Sequence, residues 1–305
     1  MMETLEQQIK ALASEPRLRL VNILGEFELS VGEMVQVLKL GQSKISRNLK
    51  ILLDAGLVAC RREGQRAYYR VAADAEAGEL LAPIRRRLAV DKAFGRERER
   101  AGEARARRDR RTREFFNAIA SDWDKLSRDV LGSYDLAADL AERVPENKTA
   151  ADLGCGTGVL LERLKDRAGR LIGVDNAQAM LDAAASRLGG DASVSLRLGE
   201  LSHLPLRDRE ADAVVLSMVL HHLSEPEEAL GEAVRALKSG GLLLVADFEP
   251  HDNEDMREDY GDLRLGIDPE GLKKTLQSAG LEIKRIHRRN VNKFLAVFVL
   301  EANRP

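Results

Sequence analysis

The feature that most constrains this chain of 305 residues is a glycine-rich loop at 152–158. A short strand-like run, 148–151, precedes the loop, and a helical run, 159–165, follows it. A glycine-rich turn between a strand and a helix is the setting in which backbone amides approach an adenosine-bearing cofactor. Roughly half of the chain precedes this loop, so that half needs an interpretation of its own.

Length and charge indicate two domains of different character. The length suits about two domains that each bury a core. The net charge is −2, but residues 1–113 contain 24 Lys and Arg against 16 Asp and Glu, whereas the remainder contains 24 against 34. A basic half followed by an acidic half is typical of a nucleic-acid-binding module fused to a globular domain. Arginines clustered by chance on one helix would give the same numbers.

The cysteines and the hydropathy pattern exclude several classes of protein. Cys60 and Cys155 are the two cysteines, and they lie too far apart in sequence to suggest a disulfide framework or a zinc cluster. We therefore expect no metal site. Nothing resembles a transmembrane run or a secretory signal, so the expected location is cytoplasmic.

The first half predicts a helix-turn-helix followed by a wing. The segment 30–33 is a capping-box pattern that opens a short helix, and a turn at 40–41 leads to a second helix over about 43–55. Apolar residues form one stripe of the second helix and basic residues the other, so its N-terminal part would enter the major groove. The strand-like runs 57–62 and 67–71 predict a wing hairpin that reaches phosphates. The expected DNA-contacting residues are Gln42, Ser43, Lys44, Ser46, Arg47, Asn48, Lys50, Arg61, Arg62 and Arg66.

Residues 1–90 resemble the ArsR/SmtB family of winged-helix repressors. The resemblance rests on the segments 12–19, 42–50, 53–58 and 62–69. It implies operator binding as a homodimer through the terminal helices. The candidate seam residues, which could equally be intramolecular core, are Leu5, Ile9, Leu12, Leu80, Ile84 and Leu88.

The sequence departs from this family in two places. Asn48 stands where the family usually has a histidine in the recognition helix, which changes one contact but leaves the DNA-binding interpretation intact. Metal-sensing members carry cysteines in the stretch corresponding to 28–33, where this chain has Ser30 and Gly32. Because soft metals and arsenite need thiolates, the inducer is expected not to be a metal.

An arginine-rich segment follows the DNA-binding module. Residues 96–113 contain nine arginines and four acids without an aliphatic stripe, so we expect an exposed helical linker over 91–113. A solvated connector is the simpler interpretation. The alternative is that the arginines add contacts to DNA phosphates.

Residues 114–305 predict an α/β domain. Strand-like and helical runs alternate, which indicates a doubly wound, mostly parallel sheet, and the last two strands predict an antiparallel hairpin at one edge. The ligand of such a sheet lies at the carboxyl ends of the strands, where Asp175 could accept both hydroxyls of a ribose. The glycines alternate without the third glycine of a pyrophosphate-binding loop, which argues against a dinucleotide.

This second domain resembles the class I S-adenosylmethionine-dependent methyltransferases, a Rossmann-like family. The resemblance rests on the segments 151–158, 173–175 with 180–181, 199–206, 211–215 and 237–241. It implies that Asp152 and the glycines hold the methionyl part, that Asp175 binds the ribose, and that Glu200 meets the adenine amino group. The full set of expected cofactor-binding residues is Asp152, Gly154, Cys155, Gly156, Gly158, Asp175, Asn176, Met180, Glu200, Leu201 and Met218.

Two functions remain open at this point. Regulators of the ArsR/SmtB type with fused methyltransferase-like domains include ones that respond to S-adenosylhomocysteine and control methyl-cycle genes, and this chain looks like them. We therefore expect a regulator, acting as a repressor, that senses S-adenosylhomocysteine or S-adenosylmethionine. The alternative is an active small-molecule methyltransferase with an autoregulatory DNA-binding domain. His221 and His222 are candidate general bases. Because methyl transfer depends mostly on positioning of the reactants, a structural role for them is favoured and no catalytic residue is assigned.

Overall fold

The computed structural model describes residues 2–64, 66–72 and 75–305. They divide into two compact units, Met1–Arg110 and Arg111–Pro305. Gln65, which the sequence places in the turn of the wing, lies outside the described residues. No helix of the described chain combines the length and the apolar character that crossing a membrane requires.

The first unit is mostly helical, with a small antiparallel sheet. Its strands lie in the order β1-β3-β2, and β2 and β3 form the predicted wing. The last helix, α6, begins in this unit and continues past its boundary. The elements are α1 (Met2–Leu12), α2 (Glu15–Leu24), β1 (Leu29–Ser30), α3 (Val31–Leu38), α4 (Gln42–Asp54), β2 (Val58–Glu63), β3 (Arg66–Val71), α5 (Ala75–Ala89) and α6 (Lys92–Ile119).

Local sequence signals account for the helix-turn-helix. The Ser30 hydroxyl accepts a hydrogen bond from the amide of Glu33, and the Glu33 carboxylate accepts one from the amide of Ser30 at 2.8 Å, so the predicted capping box is present. Lys39 adopts a left-handed conformation (φ +53°) and ends α3. Ile45 and Leu49 of the predicted apolar stripe are fully buried. Helix α4 thus packs one face on the core and leaves the other in solvent.

Helix α6 differs from the exposed linker expected from its arginines. Ala101 and Ala104 lie in the core of the first unit, because their small side chains let the helix pack closely. Two polar residues of this helix bind α2: Glu97 Oε1 accepts a hydrogen bond from Arg19 Nε at 2.8 Å, and Arg98 Nη1 donates one to Asn22 Oδ1 at 2.7 Å. The arginine-rich segment therefore has a buried face, made of alanines rather than of the aliphatic residues that a stripe usually contains.

The second unit is a seven-stranded sheet with helices on both faces. The strand order is β6-β5-β4-β7-β8-β10-β9; β4 to β8 pair in parallel, and β10 pairs antiparallel with β8 and β9. The elements are α7 (Trp123–Leu131), α8 (Leu136–Arg143), β4 (Thr149–Leu153), α9 (Val159–Leu164), β5 (Arg170–Asp175), α10 (Gln178–Leu188), β6 (Val194–Leu198), β7 (Ala211–Ser217), a 3₁₀ turn (Leu220–His222), α11 (Pro226–Ala236), β8 (Leu237–Phe248), α12 (Asp255–Asp259), α13 (Pro269–Ser278), β9 (Glu282–Asn290) and β10 (Ala296–Asn303).

This architecture confirms the predicted doubly wound sheet with its antiparallel edge hairpin. Alternate residues of a buried strand point to opposite faces, so Val215 packs into one apolar core while Val214 and Leu216 pack into the other. The chain proceeds from β4 outward to β6 and then returns to β7 on the other side of β4. Such a reversal opens a crevice at the carboxyl ends of the strands, and the loop at 154–158 lies there.

Candidate functional site

The three glycines after β4 are required for two different reasons. Gly154, Gly156 and Gly158 all have positive φ values, of +78°, +50° and +80°. A Cβ on Gly154 would lie 2.4 Å from Val219 Cγ2, and one on Gly158 would lie 3.0 Å from Ala184 Cβ, so packing within the protein excludes side chains there. A Cβ on Gly156 would meet no protein atom closer than 3.7 Å. The backbone at Gly156 thus faces space that a ligand can use.

Asp175, at the end of β5, holds the glycine loop in place. Its Oδ2 accepts a hydrogen bond from the amide of Gly156 and its Oδ1 one from the amide of Ala177, both at 2.9 Å. Burial raises the pKa of this carboxyl, while the amide donors oppose that rise. Each carboxylate oxygen retains a second lone pair, so the same group can still accept ribose hydroxyls. The sequence indicated the ribose role but not the role in shaping the loop.

Asp152, in β4, is a buried acid with an unsatisfied oxygen. Its residue is 3% exposed, and its Oδ1 has no hydrogen-bond partner among the described residues. Burial, together with the charge of Asp175, raises its pKa to about 7. Because buried polar atoms in proteins are nearly always paired, an unpaired carboxylate oxygen at the crevice fits a ligand that carries an ammonium group.

The predicted residues Asn176 and Glu200 meet at the rim of the crevice, together with a residue that the sequence did not indicate. Glu200 Oε2 accepts a hydrogen bond from Asn176 Nδ2, and Oε1 accepts one from Arg113 Nη1, both at 2.8 Å. Asn117 Oδ1 accepts a hydrogen bond from the amide of Ala179 at 3.0 Å. Arg113 lies in the last part of α6, far from Glu200 in sequence, so no local motif could have identified this pair.

Three further predicted residues are buried side chains. Cys155 packs in the apolar core, and burial raises the pKa of its thiol well above the ordinary value, so it contributes packing and backbone rather than a thiolate. Met180 lies in a small apolar cluster with Phe116 and Trp123. Leu201 packs in the core on one face of the sheet.

Met218 marks a pocket beyond the glycine loop. It has a positive φ of +52°, which is unusual for a residue with a side chain, and its amide donates to the Ala246 carbonyl at 2.8 Å. It lines a small pocket that opens to solvent. The other lining residues are Trp123, Ser127, Val130, Leu131, His221, His222, Phe248, Met256, Tyr260 and Asp262.

Both histidines of the 3₁₀ turn are buried and line this pocket. His221 Nδ1 lies 2.5 Å from Asp247 Oδ1. Burial acts to lower the pKa of His221, but the charges of Asp247 and Asp262 outweigh it and raise the pKa to about 9. For His222, burial and the neighbouring His221 lower the pKa well below its usual range. The sequence did not indicate Asp247 or Asp262 as neighbours of these imidazoles.

In the first unit, most of the residues expected to contact DNA are in solvent. Helix α4 presents one polar and basic face, and the wing adds two arginines. The exposed residues of this predicted set are Gln42, Ser43, Lys44, Ser46, Arg47, Lys50, Arg62 and Arg66.

Asn48 and Arg61 differ from the rest of that set. Asn48 is 9% exposed, and its Nδ2 donates to the Lys44 carbonyl at 2.7 Å, so its side chain turns back onto the helix. Arg61 is held by Glu28, with Nε to Oε1 at 2.9 Å and Nη2 to Oε2 at 2.6 Å, and it also contacts Glu63. A partner 33 residues away cannot be read from the wing motif. Both side chains are thus engaged within the protein, and their contact with DNA stays a prediction.

Family models match both halves of the chain. The model described as bacterial regulatory protein, arsR family, matches residues 14–59, from the residue before α2 into β2. The model described as methyltransferase domain matches residues 151–245, from the end of β4 into β8.

Individual relatives agree with these matches. An uncharacterized 37.1 kDa protein in a transposon of Streptomyces fradiae is 33% identical over 221 residues, which cover 68% of this chain and 62% of that protein. Demethylmenaquinone methyltransferase of Thermobifida fusca is 33% identical over 140 residues, 44% of this chain and 59% of the enzyme. The chain thus spans about three fifths of the length of these two curated relatives.

Solved structures show the same fold for the second unit. A methyltransferase of Thermotoga maritima, described as a possible histamine N-methyltransferase, has a TM-score of 0.52 and 21% identity, covering 64% of this chain and all of that one. The N-methyltransferase NodS of Bradyrhizobium japonicum, solved with S-adenosyl-L-homocysteine, has a TM-score of 0.52 and 16% identity, covering 64% of this chain and 98% of that one.

The geometry of the crevice agrees with a cofactor of this class. The open backbone at Gly156 and the unpaired oxygen of Asp152 fit a nucleoside that carries an amino-acid group. The methyltransferase domain indicates S-adenosylmethionine or S-adenosylhomocysteine as the ligand. The chain therefore carries an ArsR-family helix-turn-helix followed by a class I methyltransferase domain.

Proposed function

We propose that this protein is a DNA-binding transcriptional regulator, a repressor, whose methyltransferase domain senses S-adenosylhomocysteine or S-adenosylmethionine and thereby controls operator binding. The observation that carries the proposal is the presence, on one chain, of an exposed basic face on α4 and of open space beside the backbone of Gly156. The experiment that tests it is a comparison of DNA affinity with and without each nucleoside.

The helix α3 region supports a signal other than a metal. Metal-sensing members of the ArsR/SmtB family, which residues 1–90 resemble, carry cysteines around the position of Ser30, whereas here the Ser30 hydroxyl and the Glu33 carboxylate are 2.8 Å apart in the capping box. This position therefore stabilises the start of a helix and has no thiolate to offer an ion. A fused ligand-binding domain supplies the input that the winged helix lacks.

One helix contributes side chains to both units. Glu97 and Ala101 of α6 belong to the interior of the first unit, and Arg113 and Asn117 of the same helix bind residues at the rim of the cradle in the second. A nucleoside that reorganises the rim would thus act on an element that the DNA-binding unit also uses. The chain passes from one unit to the other through this helix, which supports the linkage between two sites that the proposed regulation requires.

Two apolar side chains on α1 support a dimeric regulator. Leu5 and Ile9 are 46% and 53% exposed. The resemblance to the ArsR/SmtB family implies that their helix forms part of the dimer interface. A second copy of the chain would cover them. Leu12, the third residue of that stripe, is already buried within the chain.

A second candidate function is an active small-molecule methyltransferase with an autoregulatory DNA-binding domain. The pocket that Met218 shares with Trp123 and Tyr260 favours it, because Trp123 also lies next to Gly156, so an acceptor entering there would lie near the cofactor. Incubation with methyl-labelled S-adenosylmethionine and a cell extract should then transfer label to a small molecule. Tight product binding without turnover would count against the enzyme and leave the sensor.

The affinity for S-adenosylhomocysteine should depend on pH through Asp152. The raised pKa of about 7 means that this acid is neutral below that pH and can attract the ligand's ammonium group only above it. We expect the affinity to rise by up to about tenfold per unit as the pH increases towards 7 and to level off above it. Calorimetric titrations across this range measure the effect. Asp152→Asn, which cannot ionise, should bind more weakly with a flat profile; an equally flat profile for the unmodified protein would remove Asp152 from this role.

The wing should contribute to DNA affinity through phosphate contacts. Arg62 and Arg66 are exposed, so replacing either with alanine should reduce the slope of log affinity against log salt by about 0.9 and weaken binding similarly for all sequences. Fluorescence anisotropy at several salt concentrations measures this slope. Arg207→Ala, which removes an exposed arginine from the methyltransferase domain, is the matched control and should leave the slope unchanged. A slope that is also unchanged in both wing variants would show that the wing does not touch phosphates.

A further inference from the structure

We propose that His221, His222 and Asp262 form a binding site for one divalent transition-metal ion of the zinc type, at the wall of the pocket lined by Met218. The proposal is independent of the regulatory function, which requires only the nucleoside and DNA. The sequence contains no cluster of residues with metal-ligand spacing, and we therefore expected no metal site. The proposal differs from that expectation.

The donor atoms of the three residues converge. His221 and His222 belong to the 3₁₀ turn after β7, and Asp262 lies in the loop after α12. Asp262 Oδ1 is 3.6 Å from His221 Nε2 and 3.6 Å from His222 Nδ1, and one ligand atom from each residue lies within 4.8 Å of the others. Ligands bonded to zinc at about 2.1 Å in a tetrahedron are about 3.4 Å apart. The two separations from Asp262 are close to that value, and His222 Nδ1, which lies 3.4 Å from the Gly261 carbonyl, would exchange that contact for the ion.

Several polar atoms of this cluster lack hydrogen bonds. The Asp262 side chain is fully buried, and neither of its carboxylate oxygens has a hydrogen-bond partner among the described residues. The Nε2 atom of His222 is also buried without a partner among the described residues, although it is the Nδ1 atom of that ring that faces Asp262. Proteins rarely leave such groups unpaired, and a bound ion is one of the recognised reasons for finding them together.

A second carboxylate orients His221 as metal sites do. Asp247 Oδ1 lies 2.5 Å from His221 Nδ1, and Asp247 is itself fixed by the amides of Leu220 at 3.0 Å and Phe248 at 2.7 Å. A proton on Nδ1 donated to Asp247 leaves the lone pair on Nε2 directed at the cluster. Metal-binding histidines usually donate their other ring nitrogen to a carboxylate in this way.

The donor set selects the class of ion. Two imidazoles and one carboxylate suit zinc and similar divalent transition metals, whereas magnesium and calcium prefer six or more oxygen ligands. The carboxylates of Asp262 and Asp247 together balance a charge of +2. Three protein ligands leave at least one coordination position open, and the adjoining pocket between Trp123 and Tyr260 gives room for an oxygen or nitrogen donor of a bound small molecule.

The competing interpretation is a protonated His221 that takes the place of the cation between Asp247 and Asp262. The two interpretations make opposite statements about metal binding. A closed triad of this kind has no affinity for zinc, whereas the proposed site binds one ion per chain.

The test uses the full-length protein, stripped with a chelator and titrated with zinc chloride in competition with a chromogenic chelator, and separately with cobalt chloride for visible absorption. We expect one zinc ion per chain and a cobalt spectrum typical of tetrahedral coordination. Asp262→Asn and His222→Gln should each weaken zinc binding by about a hundredfold or more, and Asp247→Asn by about 10- to 100-fold. His203→Gln, which removes an exposed histidine elsewhere in the domain, should change nothing.

Circular dichroism on the same samples shows whether each variant is folded, and titration with S-adenosylhomocysteine shows whether it binds the nucleoside. A folded, nucleoside-binding protein that binds no zinc would overturn the metal site and leave the proposed regulatory function standing. Zinc binding that persists unchanged in the Asp262→Asn and His222→Gln variants would also overturn it, because the ion would then lie elsewhere. Zinc binding without nucleoside binding would support the metal site and contradict the proposed function.

Discussion

Replacing Gly156 with alanine is expected to lower the affinity for S-adenosylhomocysteine at least about a hundredfold without unfolding the protein, a factor that corresponds to roughly 3 kcal/mol of binding free energy. A Cβ at this position would have no protein atom within 3.7 Å, so it would occupy the space left for the ligand rather than disturb the packing of the chain. The positive φ of +50° adds a backbone cost of roughly 1–2 kcal/mol, which lowers stability but not binding. Calorimetric titration and thermal unfolding measure the two effects separately.

Gly189 provides the matched control. It has a positive φ of +63°, and a Cβ there would meet nothing within 4 Å. Gly189→Ala therefore carries a similar backbone cost, and its Cβ, at the end of α10, enters open space rather than the space beside Gly156. We expect the two variants to lose similar stability and only Gly156→Ala to lose nucleoside affinity. Equal nucleoside affinity in both variants would show that the space beside Gly156 is not the ligand site.

The helix-turn-helix was predictable because its signals are local. The capping box at Ser30, the apolar stripe of α4 and the short wing strands each depend on residues a few positions apart. The burial of Asn48 and the ion pair between Arg61 and Glu28 were not predictable from the sequence, because each depends on what the helix or the wing packs against. A sequence motif therefore predicts which face of a helix is exposed more reliably than it predicts whether one given side chain is buried or paired.

The cofactor site likewise has features that the local sequence predicts and features that depend on tertiary structure. The loop from Asp152 to Gly158 and Asp175 follow from the order of strand, glycines and helix, which is a property of the local sequence. Arg113 reaches Glu200 across 87 residues, and Asp262 comes near His221 only through the folding of a loop. Neither contact has a sequence signature, because charged residues are common and their pairing is decided by tertiary structure.

Helix α6 shows how composition can mislead. Its many arginines and lack of leucine or valine suggested an exposed connector, whereas the buried face consists of Ala101 and Ala104 with a paired Glu97. Alanine is small enough to let a helix approach its neighbour closely but adds little to a hydrophobic periodicity. A search for alanine spacing, rather than for large aliphatic residues, would have found this face.

Coupling between the nucleoside and DNA is the second large effect that we expect. A coupling free energy of about 1–3 kcal/mol corresponds to a change in DNA affinity of roughly 5- to 150-fold when the cradle is saturated. Linkage also requires that DNA change the affinity for the nucleoside by the same factor. The Gly156→Ala variant separates coupling from non-specific effects, because it should bind DNA normally and fail to respond to the nucleoside.

The most direct measurement is the affinity of the full-length protein for a fluorescent DNA duplex, selected by the protein itself from a random pool, with and without saturating S-adenosylhomocysteine or S-adenosylmethionine. We expect at least one of the two nucleosides to change this affinity by about fivefold or more, and the change to be absent in the Gly156→Ala variant. An affinity that stays the same with either nucleoside at saturation, in a protein shown by calorimetry to bind that nucleoside, would contradict the sensor.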